Sequence, residues 1–158
     1  MNKNINITNT IIGDIMEENK NVLDELNKGC SMGTYAIECL YDKVQDEEFK
    51  ESLKLQHNKY KDMAANISKL YDKYDSTKEP HDLNAMSKTM TYYGIEMRTV
   101  FDDSDSKIAE LLLQGTNMGI IEGRRILNNK TMDKEVEKLA KEYVTMQEDS
   151  VENLKKYL

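Results

Sequence analysis

The sequence predicts an all-α protein, a four-helix bundle built from two related helical hairpins. Three observations predict it: apolar residues recur at alternating steps of four and three residues, the 158 residues include one Pro and seven Gly, and similar segments return about 87 residues later. The apolar spacing is that of a helix face packed inside a bundle. The scarcity of turn residues argues against many short strands. A chain of this length is expected to form one domain, over residues 1–158.

The first hairpin is predicted over residues 9–74. Two rows of seam residues define its helices, and Gln45 and Asp46 lie between the rows. Asp46 is the expected N-cap of the second helix, because a short carboxylate accepts a hydrogen bond from the first helical turn. The first row comprises Ile12, Met16, Asn19, Leu23, Leu26, Cys30, Gly33, Ile37, Leu40 and Val44, and the second comprises Phe49, Leu53, Gln56, Tyr60, Met63, Ile67, Leu70 and Tyr74.

The second half of the chain is predicted to contain a third helix, interrupted near 102–106, and a fourth that starts near Asp133. The segment 75–82 holds the only proline of the chain and is interpreted as a connection. Ser104 lies in an acidic run that lacks the central Gly and closing Glu of a calcium-binding loop. Ser104 is therefore expected to cap a new helical segment rather than to contribute to an ion site.

Ten methionines are many for this length. Met86, Met90 and Met97 share one stripe, and Met32 and Met118 stand next to glycines. Flexible thioethers fill irregular gaps, so these side chains are expected in the core. A copper(I) site is the alternative interpretation, because thioether sulfur is a soft ligand.

Three segments of the first hairpin return in the second half, and one of them is KDMAANI at 61–67, which returns as EDSVENL at 148–154. The segment GCSMG at 29–33 returns as GTNMG at 115–119, 86 residues later, and DEEF at 46–49 returns as DKEV at 133–136, 87 residues later. A repeated hairpin packed about a pseudo-twofold axis explains both offsets. Glycine inside a helix costs about 1 kcal/mol relative to Ala, so its repeated use predicts a close crossing of two helix backbones, with the partner helix in the other hairpin or in a second subunit. The glycines assigned to this crossing are Gly29, Gly33, Gly115 and Gly119.

The two hairpins, the repeated Gly-x-x-Met-Gly segments and the closing helix over residues 147–158 resemble the ferritin-like four-helix bundles, and in particular uncharacterised bacterial ferritin-like domains. The di-iron members of that superfamily use a Glu from each of two helices and a Glu-x-x-His from each of the other two. The corresponding positions here are Tyr60 and Met63 in the second helix and Gln147 and Ser150 in the fourth. None of these four is a carboxylate or an imidazole. The resemblance therefore implies the fold. The absence of carboxylates and imidazoles at these four positions predicts that the di-metal site has been lost and that no cofactor is bound.

Displaced ligands are the alternative to a lost site. Glu38 and Glu122 lie next to the predicted seam, and His57 follows Gln56. Carboxylates and imidazoles are ligands for iron or zinc when several converge. Flanking charges of this kind more often belong to a solvated helix boundary, so these three residues are weak metal candidates.

The net charge and the cysteine content indicate the cellular compartment of the protein and exclude some classes of partner. The charge is −7 and the pI about 5.0, which argues against nucleic acid and against an anionic membrane surface. Cys30 and Cys39 would lie about 13 Å apart on one helix, too far for a disulfide. A cytoplasmic protein is expected.

The leading hypothesis for function is a non-catalytic structural or interaction protein that forms a homo-oligomer, a dimer in the simplest case, with an unidentified protein or small ligand as a further partner. A metal-binding oxidoreductase or storage protein with displaced ligands is the alternative. A third class is a small-ligand binder that uses a polar belt at mid-bundle. The belt comprises Gln56, Tyr60, Tyr143 and Gln147.

Overall fold

The computed structural model describes the backbone of residues 2–158 and the side chains of residues 10–92 and 94–158. Within this range the chain is all-helical, which confirms the predicted all-α class. None of the helices found there is long and apolar enough to cross a membrane. The elements are α1 (Asn2–Leu40), α2 (Glu47–Tyr71), α3 (Ala85–Thr99), α4 (Asp105–Asn129) and α5 (Lys134–Leu154), with short 3₁₀ turns at Tyr41–Lys43 and Lys155–Tyr157.

Two helical hairpins form the body of the molecule. Helix α1 packs most extensively against α2, and α4 packs most extensively against α5. Helix α3 lies mainly against α1 and touches α4. Over residues 2–158 the helices therefore number five rather than four, because the predicted interruption separates α3 from α4 completely.

The interruption lies at 100–104, slightly earlier than the predicted 102–106. Ser104 caps α4 as predicted, since its Oγ accepts a hydrogen bond from Lys107 N at 3.2 Å. Asp46 caps α2 in the same way, with its carboxylate 2.7 Å from Phe49 N. Both helix starts were predicted correctly because N-capping is a local property of the sequence.

The predicted seams are buried over most of their length. In α1 every seam residue from Asn19 to Leu40 except Gly33 is buried, and in α2 the seam is buried from Phe49 to Ile67. Ile12 and Met16 depart from this pattern, with 51% and 42% of their surface exposed. The reason is length, because α1 has 39 residues and α2 has 25, so the N-terminal turns of α1 extend past the end of α2.

The methionine prediction was wrong for α3. Met86, Met90 and Met97 are 73%, 70% and 76% exposed, and Met118 on α4 is 68% exposed. Helix α3 lies on the outside of the two hairpins, so its methionine stripe faces away from the core.

Hydrogen bonds to side chains connect the two hairpins at both ends of the bundle. At one end the Asp105 carboxylate accepts hydrogen bonds from Gln45 N and Asp46 N, both at 2.8 Å. At the other end the fully buried Asn19 accepts one from Asp133 N at 2.8 Å. These bonds link the loop of one hairpin, or its first helix, to a helix start of the other.

The connection between α2 and α3 is fixed to α1. The carboxylate of Asp24, which is 6% exposed, accepts a hydrogen bond from His81 N at 2.6 Å. Asn27 Nδ2 donates to His81 O at 3.0 Å. This attachment holds the segment that leads into α3 against the first hairpin.

Candidate functional site

Four side chains of α2 and α5 meet in the middle of the bundle, and we call them the tyrosine–glutamine belt: Gln56, Tyr60, Tyr143 and Gln147. They retain 8%, 3%, 2% and 2% of their surface. Tyr60 donates a hydrogen bond to Gln147 Oε1 at 2.6 Å, across the interface between the two hairpins. Every side chain of the belt is neutral in its ordinary protonation state at pH 7.

The glycines of α1 and α4 make room for the belt. A Cβ on Gly33 would lie 2.5 Å from Tyr60 Cε2, and one on Gly29 would lie 3.0 Å from Tyr143 Cζ. A Cβ on Gly119 would lie 2.6 Å from Gln147 Nε2. The sequence predicted helix backbones crossing at these glycines, but the nearest atoms are side chains that reach over from α2 and α5. At Gly115 no helix of the other hairpin crosses, because a Cβ there would meet no atom within 4 Å, and a crossing with a second subunit stays a prediction.

Burial keeps the tyrosines of the belt protonated. It raises the pKa of Tyr60 from 10.0 to about 12, and the polar side chains of Gln56, Thr116 and Gln147 around the hydroxyl oppose this increase. Burial also raises the pKa of Tyr143. The thiol of Cys30, on the facing side of α1, has its pKa raised to about 12 by the same desolvation. These groups remain neutral over the physiological range, so the middle of the bundle is polar but uncharged.

The four positions that the sequence resemblance assigns to metal ligands are all interior. Tyr60, Met63, Gln147 and Ser150 retain between 2% and 8% of their surface. Phenol, thioether, amide and hydroxyl groups supply no carboxylate or imidazole at this level, which are the donors a di-iron centre requires. These residues do not fit a di-iron group.

The three candidate displaced ligands do not converge. His57 Nε2 lies 2.9 Å from Glu38 Oε1, in a pair whose side chains are 22% and 57% exposed. Glu122 instead pairs with Arg125, one turn along its own helix, at 2.5 Å. No group of three or more His, Cys, Asp or Glu side chains that could hold a metal ion occurs in the part of the chain that the structure describes.

A cavity of about 1040 Å³ lies between the two hairpins, and we call it the central cavity. Residues of all five helices line it, including the whole tyrosine–glutamine belt. The charged residues of the lining are exposed, four basic and four acidic, and so are Leu55 and Met118, whereas the innermost wall retains almost no accessible surface. Buried apolar residues of that wall include Leu26, Ile37, Leu40, Leu53, Leu112 and Leu154.

One buried side-chain nitrogen at this site lacks a hydrogen bond of normal geometry. Among the side-chain atoms described, Gln56 Nε2 is buried and forms no hydrogen bond of normal length and angle, although its amide is close enough to the Tyr60 hydroxyl to oppose the increase in the pKa of that group. Gln56 lines the central cavity and is 8% exposed. The belt was predicted from the sequence, with a small ligand pocket there as an alternative, but the size and lining of the central cavity were not predicted.

Comparison of the chain with protein-family models, with curated proteins and with solved structures yields no match. The function is therefore inferred from the geometry of the belt and the cavity.

Proposed function

We propose that this protein is a non-catalytic helical bundle of ferritin-like architecture in which neutral side chains have replaced a di-metal site. It acts as a structural or binding protein rather than as an enzyme. The single observation that carries the proposal is the hydrogen bond from Tyr60 to Gln147 Oε1, at 2.6 Å. These two residues occupy matching positions of the two proposed hairpin repeats.

The arrangement of the helices supports the ferritin-like part of the proposal. Two helical hairpins, α1–α2 and α4–α5, pack together, and their longer connection carries the chain from one hairpin to the other. Helix α3 is then an addition within that connection. Tyr60 and Gln147 are 87 residues apart, which is the offset of the sequence repeat.

The chemistry of the belt supports the non-catalytic part. A general acid or base is most effective with a pKa near the working pH. Tyr60 and Cys30 have their pKa values raised to about 12, away from that range. The tyrosine–glutamine belt is therefore better suited to fixing the register of the two hairpins than to moving protons.

The alternative, a metal-dependent oxidoreductase or storage protein, would need Glu38, His57 and Glu122 to bind together. The pairings of Glu38 with His57 and of Glu122 with Arg125 do not support it. The two proposals are separated by growing the producing cells with iron, measuring the metal content of the purified protein, and titrating it with Fe(II) in air. We expect iron well below one ion per chain and oxidation at the rate of buffer alone. Stoichiometric iron or faster oxidation would overturn the proposal.

Self-association is the remaining part of the proposal. The seam of α1 continues through Ile12 and Met16 beyond its contact with α2, and both side chains are exposed. A second copy that packs along this segment would cover them, as in a coiled coil. Light scattering of the wild type and of an Ile12→Lys, Met16→Lys variant tests it. We expect a dimer that the double variant converts to a monomer, and a wild-type monomer would contradict this part.

A further inference from the structure

Helix α3 and the turn after it present an uncharged apolar stripe to solvent, and we call it the α3 stripe. It comprises large side chains that each expose 66% or more of their surface: Met86, Met90, Met97, Val100 and Phe101. The three methionines and Phe101 follow one another at steps of four, seven and four residues, which is the spacing of one helix face. Monomeric proteins rarely expose contiguous apolar patches of more than a few hundred Å², and larger patches mark interaction sites. The α3 stripe is therefore typical of a surface that another molecule covers.

We propose that the α3 stripe, together with the carboxylates at its two ends, binds a basic amphipathic helix of a partner protein. The apolar face of the partner helix packs on the stripe, and its Lys or Arg side chains lie next to Asp82 at one end and Asp102 and Asp103 at the other. The inference goes beyond the proposed function, because the loss of a metal site in the interior does not require a partner on the outer helix.

The opposite face of α3 is already engaged within the chain. Ile95 and Thr99 are 9% and 5% exposed, and Ile95 belongs to the core. Thr91 Oγ1 donates to the sulfur of Met32 on α1 at 3.4 Å, and Arg98 donates to Gln114 Oε1 on α4 at 3.3 Å. These contacts hold α3 against α1 and α4, so the exposed stripe remains on the side away from both hairpins.

The charges around the stripe indicate the chemistry of the partner. Residues 79–105 include two basic and six acidic side chains, so 2 − 6 = −4, out of a net charge of −7 for the whole chain. Asp82 precedes α3, Asp102 and Asp103 follow it, and all three are exposed. None of these three carboxylates forms a salt bridge with a residue whose side chain the structure describes. Both ends of the stripe therefore offer negative charge to a partner.

Two of these carboxylates are held in the ionised form by hydrogen bonds. The hydroxyl of Ser104 and then its backbone N–H lower the pKa of Asp102. The hydroxyl of Ser31 on α1 is the main cause of the lowered pKa of Asp82. Charges at the rim of an interface mainly determine which partner binds and how fast it associates. The stripe supplies the apolar contact, and the carboxylates favour a basic helix over a neutral or acidic one.

The same charges disfavour two other occupants of the stripe. A second copy that packed α3 against α3 would bring together two segments of charge −4, and like charges across an interface are unfavourable. An anionic membrane surface is repelled for the same reason. With a basic helix, these electrostatic terms become attractive.

The composition of the stripe suits a helix-binding surface. Methionine side chains are flexible and polarizable, so they adapt to different apolar side chains of a partner helix. Phe101 is 96% exposed, and an aromatic side chain of this kind buries about 150–250 Å² when it is covered. Methionine and aromatic residues are both enriched in protein interfaces. An amphipathic helix binds such a surface through apolar residues at helical spacing.

The experiment is titration of the full-length protein with the labelled peptide LKKLLKLLKKLLKL, a basic amphipathic helix, followed by fluorescence anisotropy. We expect saturable binding of one peptide per chain. A Met90→Gln, Met97→Gln variant should bind at least roughly tenfold more weakly, which corresponds to about 1.4 kcal/mol. It is expected to fold, because both positions are exposed and Gln has a helix propensity close to that of Met. Leu55→Gln, at a 63% exposed position of α2, is the matched control and should leave the affinity unchanged.

The contribution of charge is measured with a second pair of variants. Asp102→Asn, Asp103→Asn should weaken peptide binding roughly threefold or more. It should also reduce the loss of affinity between about 0.1 M and about 1 M salt, over which the Debye length falls from about 10 Å to about 3 Å. Asp62→Asn, Asp149→Asn removes the same charge from exposed positions of α2 and α5 and should have a smaller effect on both quantities.

Any of three results would overturn the inference: no saturable binding, equal binding of a peptide of the same composition without helical periodicity, or equal affinities of the wild type and Met90→Gln, Met97→Gln. Cosedimentation with phosphatidylcholine vesicles that this variant abolishes would assign the stripe to lipid instead. A dimer that this variant converts to a monomer would assign it to a second copy. The iron content of the same samples reports separately on the proposed function, so a failure of one proposal is distinguished from a failure of the other.

Discussion

Tyr60 and Gln147 are joined by a 2.6 Å hydrogen bond between the two hairpins, and both side chains are buried. The phenol donates and the amide oxygen accepts. The bond fixes the level at which α2 meets α5, because both groups would otherwise be buried without partners. Under the proposed ferritin-like architecture, this neutral pair stands at two of the metal-ligand positions.

Removing either partner of this bond should destabilise the fold. Tyr60→Phe leaves Gln147 Oε1 buried and unpaired, and we expect a loss of about 1–3 kcal/mol in the free energy of unfolding. Gln147→Leu should cause a similar loss in the free energy of unfolding, because it leaves the hydroxyl of Tyr60 buried without its acceptor. The double variant should lose at least about 0.5 kcal/mol less than the sum of the two single losses, as measured by urea denaturation.

Tyr74→Phe is the control for this measurement. Tyr74 donates to Asp133 at 2.8 Å in an exposed hydrogen bond. Its loss should cost less than about 1 kcal/mol, since water replaces the partner. Strict additivity of the Tyr60 and Gln147 variants would contradict the coupling between them.

Replacing glycine by leucine should have different effects on the free energy of unfolding at different glycine positions. Gly33→Leu forces the new side chain against the ring of Tyr60, and we expect a loss of about 1–3 kcal/mol or more. Gly119→Leu should behave similarly, because Gln147 occupies the same kind of space there. Gly115→Leu should be neutral or stabilising by up to about 1 kcal/mol, because it improves helix propensity in open space. Equal unfolding free energies for Gly33→Leu and the wild type would be incompatible with this packing.

The raised pKa of Tyr60 predicts a decrease of stability at high pH. In the unfolded chain this phenol ionises near its ordinary pKa of 10.0, whereas burial raises the folded pKa to about 12. The unfolded state therefore binds fewer protons between these values, so the stabilisation is complete below pH 10 and is lost as the pH rises toward 12.

The measurement is the free energy of unfolding of the wild type and Tyr60→Phe between pH 8 and pH 11. We expect parallel curves below about pH 10 and a less steep decrease for Tyr60→Phe above it. Identical slopes above pH 10 would indicate that Tyr60 ionises normally in the folded protein.

The contact of Asp105 with the loop of the first hairpin is also testable. Its carboxylate accepts from Gln45 N and Asp46 N, so Asp105→Asn replaces one acceptor oxygen by a donor. We expect a loss of about 1–2 kcal/mol in urea denaturation. Asp103→Asn makes the same change of charge at an exposed position in the preceding segment and should stay within about 0.5 kcal/mol of the wild type. Equal effects of the two variants would assign the loss to charge alone.

Helix positions and caps could be predicted from the sequence because their causes are local. The alternation of four and three residues identifies the buried face of α2 from Phe49 to Ile67, whatever covers that face. Asp46 and Ser104 cap helices through side chains that reach only three residues along the chain. These features need no knowledge of the rest of the fold.

The contents of the interior could not be predicted in the same way. Spacing of small residues at Gly29 and Gly33 indicates a close neighbour, but it does not distinguish a helix backbone from the tyrosine rings that are there. The stripe of Met86, Met90 and Met97 predicts one face of α3, but not that this face points outward. The central cavity depends on how far apart the two hairpins lie, which is a long-range property.

The proposed replacement of metal ligands by neutral side chains can be tested most directly by introducing donors at these positions. A Met63→His, Gln147→Glu, Ser150→His variant places one carboxylate and two imidazoles at buried positions of α2 and α5. Binding of Co(II) to the variant and to the wild type is followed by its absorption and by calorimetry. We predict stoichiometric binding by the folded variant and no binding by the wild type. A folded variant with no gain in Co(II) affinity, or a wild type that already binds one ion per chain in the bundle, would contradict the account.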